Sequence, residues 1–214
     1  MSSGAALRTA AADLYHQSWR LFFLNAALSA FVVPVVIGGL WIPPLWLLLV
    51  LAGPLAASLM HCAVVVVRTG ELELREALVG LRLHWRRGLA LGALLAGGTL
   101  LGVHAISFYA DRGALVLAVL AVYLLLAFGA FQLVLWPLAI FEAGRPAREV
   151  AGDAARAILS RPVQSLVLAG ALAVVNLIGL AAALVPFLTL TVAYSFLAVA
   201  RFALPPTSTQ EALD

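Results

Sequence analysis

Four histidines and a single cysteine carry the most reactive chemistry in this chain: His16, His61, His84, His104 and Cys62. None of the histidines stands at metal-ligand spacing to another ligand. His61 and Cys62 are adjacent, so on a helix their side chains diverge by about 100°, and they read as a packing pair more readily than as a metal half-site. One cysteine excludes an intramolecular disulfide. The acidic residues lie outside the apolar blocks. Glu71, Glu73 and Glu76 are expected to pair with arginines of their own segment, as at Glu71–Arg75, and Glu142 and Glu149 to be solvated. Phosphate-binding glycine motifs are missing. Hydrolytic or redox chemistry needs a nucleophile with its base, paired carboxylates or clustered ligands. The residues offer none of these, so the expectation is a non-enzymatic protein with no catalytic residue, no metal and no cofactor.

What remains is a small set of polar residues inside apolar sequence. Asn25, His61 and Gln132 each lie within about six residues, or about 9 Å, of the arginine-rich end of their blocks; Tyr194 lies deeper, and Asn176 and His104 lie toward the opposite end. Two readings stand side by side. The three could line a cavity open to the cytoplasm, or each could make an ordinary interhelical hydrogen bond of about 0.6 kcal/mol.

The blocks that hold these residues define the fold. Apolar residues make up 64% of the 214 and charged residues 11%, against roughly 45–50% and 25% in soluble domains. A chain of this size cannot hide that much apolar surface from water, so lipid must be its solvent. Six blocks approach the ~20 residues that cross a bilayer: 21–40, 45–67, 88–109, 114–138, 162–184 and 186–203. Backbone in hydrocarbon must satisfy its own hydrogen bonds, which makes the blocks helices. The first exceeds the apolar core of a secretory leader and is expected to remain as a span. Gly38-Gly39 and Gly97-Gly98 suit close helix approach, and Gly53-Pro54 sits mid-span as a structural motif.

All thirteen basic side chains are arginines, and the net charge is +3. They form no dense basic face with stacking aromatics, which argues against nucleic acid. Their position orients the chain. Only Arg112 falls on one side of the spans; the rest fall on the other. The positive-inside rule then puts both termini and the two long loops in the cytoplasm. Tight outer turns are expected near Pro43, Asp111 and Val185.

Within the loops, Leu74, Leu78, Leu81 and Trp85 recur at helical spacing, with Ala77 beside them and Arg75, Arg82 and Arg86 on another face. The segment 71–87 therefore reads as an amphipathic helix on the inner leaflet, touching lipid through Arg75, Arg82, Trp85, Arg86 and Arg87. Residues 147–161 repeat the pattern more weakly, and 1–20 form a third such segment. The fold expected is all-α and polytopic: six transmembrane helices as three hairpins, each preceded by an amphipathic cytoplasmic helix, with 205–214 a cytoplasmic tail. Alignments such as Leu7-Arg8 with Leu74-Arg75, Arg20 with Arg87, and Leu95-Ala96-Gly97 with Leu168-Ala169-Gly170 suggest an internal repeat. Repeats of this kind often place a binding site at their mutual interface.

DLYHQSWRLFFLN at the first span, AGPLAASLMHCAVVVVRTGE with its mid-span Gly53-Pro54, LREALVGLRLHWRRGLALG and PLAIFEAGRPAREVAGDAARAILSRPVQSL together resemble the YesL-like family of bacterial membrane proteins over roughly residues 10–204. His61-Cys62 departs from that pattern. The resemblance implies a multi-pass protein of the bacterial plasma membrane, without established catalytic residues, accompanying sugar ABC-transporter subunits. The expectation is an accessory or regulatory component of carbohydrate uptake, with the lipid bilayer, transporter subunits and further copies of itself as partners. The alternative is a small transporter with a cytoplasm-facing cavity.

Overall fold

A computed structural model describes residues 2–16, 18–181 and 190–204. Among them the helices are α1 (Ser3–His16), α2 (Ser18–Trp41), a 3-10 segment (Pro43–Leu48), α3 (Leu49–Thr69), α4 (Leu74–Asp111), α5 (Leu115–Phe141), α6 (Ala147–Ser160), α7 (Pro162–Ala181) and α8 (Val192–Ala203). Strands are absent from the described residues.

Five of these segments are long and apolar enough to cross a membrane: Trp19–Trp41, Pro44–Thr69, Leu74–Asp111, Leu115–Phe141 and Pro162–Gly179. Their outward side chains need hydrocarbon around them. Val116 is 82% exposed and Leu126 58%, among a belt of leucines and valines that water would not tolerate. The chain is an all-helical, multi-pass membrane protein. The sixth expected span is represented by α8, whose 12 residues fall short of the ~20 that a crossing needs. The turn expected near Val185 and the tail 205–214 lie outside the described residues.

Local chemistry sets the boundaries. Gly70 closes α3 in the left-handed conformation, φ 76°, its N–H bonded to the Val66 carbonyl at 2.9 Å, a helix end for which glycine has no side-chain penalty. Gly113 makes the turn between α4 and α5 at φ 70°. Ile42, at φ −128° and ψ 86°, leaves the helical region before Pro43, as residues preceding proline tend to, and the 3-10 segment then leads into α3.

One boundary differs from the sequence reading. The amphipathic stretch 71–87 and the span 88–109 form a single helix, α4, 38 residues long. Hydropathy changes at Arg87-Gly88, but a change of polarity alone breaks no backbone hydrogen bond, and there is no proline there. At Arg161-Pro162 the corresponding junction does break, and α7 begins on the proline, the first helical position that proline favours. At about 57 Å, α4 is longer than the hydrocarbon core is thick. Glu71 precedes the helix, so the expected Glu71–Arg75 pairing has no helical spacing to act through; Glu71 instead bonds Thr69 through its backbone.

The second helices of the expected hairpins, α3, α5 and α8, pack against one another. The same relation recurs around them. The first part of α4 lies on α3, α6 lies on α5, and α1 lies on α8. The inward faces are small or β-branched: Ala6 and Ala10 of α1, Ala77 and Gly80 of α4, Val150 and Ala154 of α6.

Candidate functional site

Close approach of α3 and α4 rests on three glycines. A methyl group on Gly53 would lie 2.1 Å from the Gly88 carbonyl oxygen; one on Gly92 would lie 2.9 Å from Gly53 Cα. The Gly88-x-x-x-Gly92 spacing puts both on one face. Of the glycine pairs noted in the sequence, Gly39 receives Trp46 and Gly98 receives Phe128, while Gly97 faces open space.

Further along the same interface, Gly80 leaves room for His61. His61 Nε2 lies 3.4 Å from Glu76 Oε2, and its Nδ1 lies 3.2 Å from Nε2 of the buried His84. One arrangement of protons satisfies both contacts with neutral rings and an ionised Glu76. His61 donates from Nε2 to the carboxylate and accepts at Nδ1 from the Nε2–H of His84. Ser58 donates to the Ala77 carbonyl at 2.5 Å beside them. No group of three or more His, Cys, Asp and Glu able to hold a metal occurs among the described residues.

The arginines at this end of the molecule are used as internal clamps. Arg87 donates to the carbonyls of Ala139 (2.8 Å) in the last turn of α5 and of Glu142 (3.1 Å) and Arg145 (2.5 Å) in the loop that follows. Of the residues expected at the lipid surface, Arg75, Arg82, Arg86 and Trp85 are exposed, while Arg87 is half-buried with its guanidinium on these carbonyls. Arg20 donates to the Leu72 carbonyl, just beyond α3, and Arg68 covers the Phe141 ring at 4.4 Å. Arg145 bridges Glu142 at 2.6 Å and Asp153 at 2.9 Å. Its hydrogen bond to Asp153 foremost, with the nearby Glu142 charge, pushes its pKa above the usual guanidinium value. Arg201 does not reach for the membrane surface but turns inward, pairing with both carboxylate oxygens of Asp13 at 2.9 and 3.0 Å. Tyr194 donates to the Leu7 carbonyl at 3.1 Å, so α8 holds α1 twice.

The three cavity candidates take different places. Asn25 is fully buried in α2. His61 belongs to the pair with His84, which the sequence reading had not joined to it. Gln132 is 3% exposed, and neither its oxygen nor its nitrogen has a hydrogen-bond partner. It lines a cavity of about 210 Å³ whose walls include Ala56 and Met60 of α3, Trp136 of α5, and Ser195 and Val199 of α8, but neither Asn25 nor His61. α5 runs three residues past the expected end, to Phe141, which sets Gln132 deeper. An apolar cavity of about 270 Å³ adjoins it, sharing Ala56, Leu95 and Trp136. Ser195 is already engaged, accepting from Asn176 at 2.7 Å and donating to the Thr191 carbonyl at 2.8 Å. No protein-family model, curated protein or solved structure matches the chain.

Proposed function

We propose that the protein is a non-enzymatic, six-span component of the bacterial plasma membrane with both termini in the cytoplasm, serving as an accessory or regulatory subunit of carbohydrate uptake. The membrane reading rests on the five apolar helices, and the observation that carries the orientation is the arginine distribution. Arg20, Arg68, Arg87, Arg145 and Arg201, assigned to the cytoplasmic side by the positive-inside rule, all hold helix ends, loops or the flanking helix α1, while Arg112 sits at the opposite turn over Phe108 at 3.7 Å. The carbohydrate link rests on the resemblance to YesL-like proteins. An accessory role accords with the two adjoining cavities, whose walls are mostly apolar, with Gln132, Ser195 and Thr99 the polar exceptions, and offer little to conduct a hydrophilic sugar.

Two measurements test this. In a Cys62→Ser background, single cysteines replacing Arg112 and Arg82 should label from opposite faces of intact cells; labelling of both from outside overturns the topology. The tagged protein, isolated from native membranes in mild detergent, should bring with it the membrane subunits of a sugar ABC transporter. Isolation alone, with sugar flux into vesicles reconstituted from the pure protein, would establish the transporter alternative instead.

A further inference from the structure

We propose that the cavity at Gln132 binds a neutral, single-headed amphiphile drawn from the bilayer: one alkyl chain lying past Trp136 and one head group, a hydroxyl or a carboxamide, hydrogen-bonded to the Gln132 amide. The argument starts from the amide. Gln132 offers two N–H donors and a carbonyl acceptor, is 97% removed from solvent, and has no protein partner for either end. Buried polar groups are almost always paired, and an unpaired one is costly. Its described neighbours do not answer it: the Ser195 hydroxyl donates its proton to the Thr191 carbonyl and accepts from Asn176, Ala56, Met60 and Val199 are apolar, and the Trp136 indole makes no hydrogen bond to it. None of the described residues supplies the partner, and a molecule from the bilayer can.

Water is a poor candidate. A buried water needs two to four polar contacts, and apolar cavities of similar size stay dry. The space would take several waters at about 30 Å³ each, with a single amide free to hold them. A charged head group is equally ill suited, because no ionised side chain among the described residues lines this cavity. A group that both donates and accepts, carried on an apolar body, fits both the amide and the walls. The adjoining cavity gives the body its place, since it continues on the other side of Ala56, Leu95 and Trp136. Leu95 and Leu100 line that space and are also exposed on the outer face of α4, so the ligand enters from hydrocarbon. The site lies where α3, α5 and α8 meet, each from a different hairpin.

The test uses the purified full chain in detergent with 11-bromoundecanol, 1-bromoundecane and 11-bromoundecanoate at pH 8 as probes. Bromine quenches indole fluorescence at short range, and the Trp136 contribution is the difference between wild type and Trp136→Phe. The alcohol should quench it saturably, about tenfold more tightly than the bromoalkane, the worth of roughly one hydrogen bond; the carboxylate should not compete. In Gln132→Leu the alcohol should lose that advantage while thermal stability holds or rises, because an unpaired amide has been removed. Ala56→Leu, which narrows both cavities, should block quenching with Gln132 intact. Equal affinity for alcohol and bromoalkane in the wild type, no saturable Trp136 quenching, or a destabilised Gln132→Leu protein would each overturn the proposal.

Discussion

Arg87 shows how far a side chain's role depends on the fold around it. Its neighbour Arg86 is exposed over the Trp85 ring at 5.1 Å, while Arg87 holds three carbonyls at the end of α5. Replacing Arg87 with alanine removes the guanidinium from all three, although the Glu142 carbonyl keeps the Arg145 N–H at 3.0 Å. The replacement should cost about 1.5–3 kcal/mol, the range for hydrogen bonds to a charged group, read as a fall in thermal midpoint in detergent. Arg86→Ala should stay within about 0.5 kcal/mol of wild type; equal effects would show that the carbonyl contacts contribute nothing. The histidine pair gives a second expectation. With Glu76 ionised, nitrogen chemical shifts of labelled histidine should report the Nε2–H form at both His61 and His84, and Glu76→Gln should relax that preference at His61. An Nδ1–H form of His61 in the wild type would contradict the proton arrangement. Gln132 was legible in the sequence because an amide inside an apolar block stands out. His84 was not: its partner lies 23 residues away, and hydropathy placed the two in different environments.

At the scale of elements, spacing was read more securely than continuity. The turn at Gly113 and the start of α7 at Pro162 were visible because glycine and proline act on the backbone directly. The unity of α4 was not, since the amphipathic pattern of 74–87 and the apolar run after it look alike whether or not a bend separates them. The contact that carries α4 across is the backbone approach of Gly53, Gly88 and Gly92. Gly53→Ala should force α3 and α4 apart, because its new methyl would meet backbone and not a yielding side chain, at a cost of about 1–3 kcal/mol. Gly97→Ala meets nothing within 4 Å and should be neutral or slightly stabilising, since alanine is the better helix former by about 1 kcal/mol. Thermal unfolding of both variants, monitored by helical circular dichroism, separates them. A neutral Gly53→Ala would mean that α3 and α4 sit further apart than described.

The molecule as a whole is held at its seam by Asp13 and Arg201, with side chains only 16% and 9% exposed. Removing one member leaves a buried charge, so Asp13→Ala should cost about 3–5 kcal/mol. The double variant with Arg201→Met should cost clearly less than the two single changes together; additive costs would show that the two do not interact. The overall class followed from composition, because nothing but lipid can surround so apolar a chain. The way the surface helices pack did not, because small faces such as Ala6 and Ala10 fit many partners equally well. The pairing of α1 with α8 has a consequence for how the protein is made. The residues that join them are 188 positions apart, so α1 emerges from the ribosome long before the helix that will cover it exists. Until α8 has been translated and inserted, Asp13 faces no arginine at position 201, and the Leu7 carbonyl faces no tyrosine. Packing of the helices can therefore begin as they are made, but its completion waits on α8. A ribosome stalled before Arg201 leaves a chain whose first helix still lacks both of the side chains that α8 brings to it.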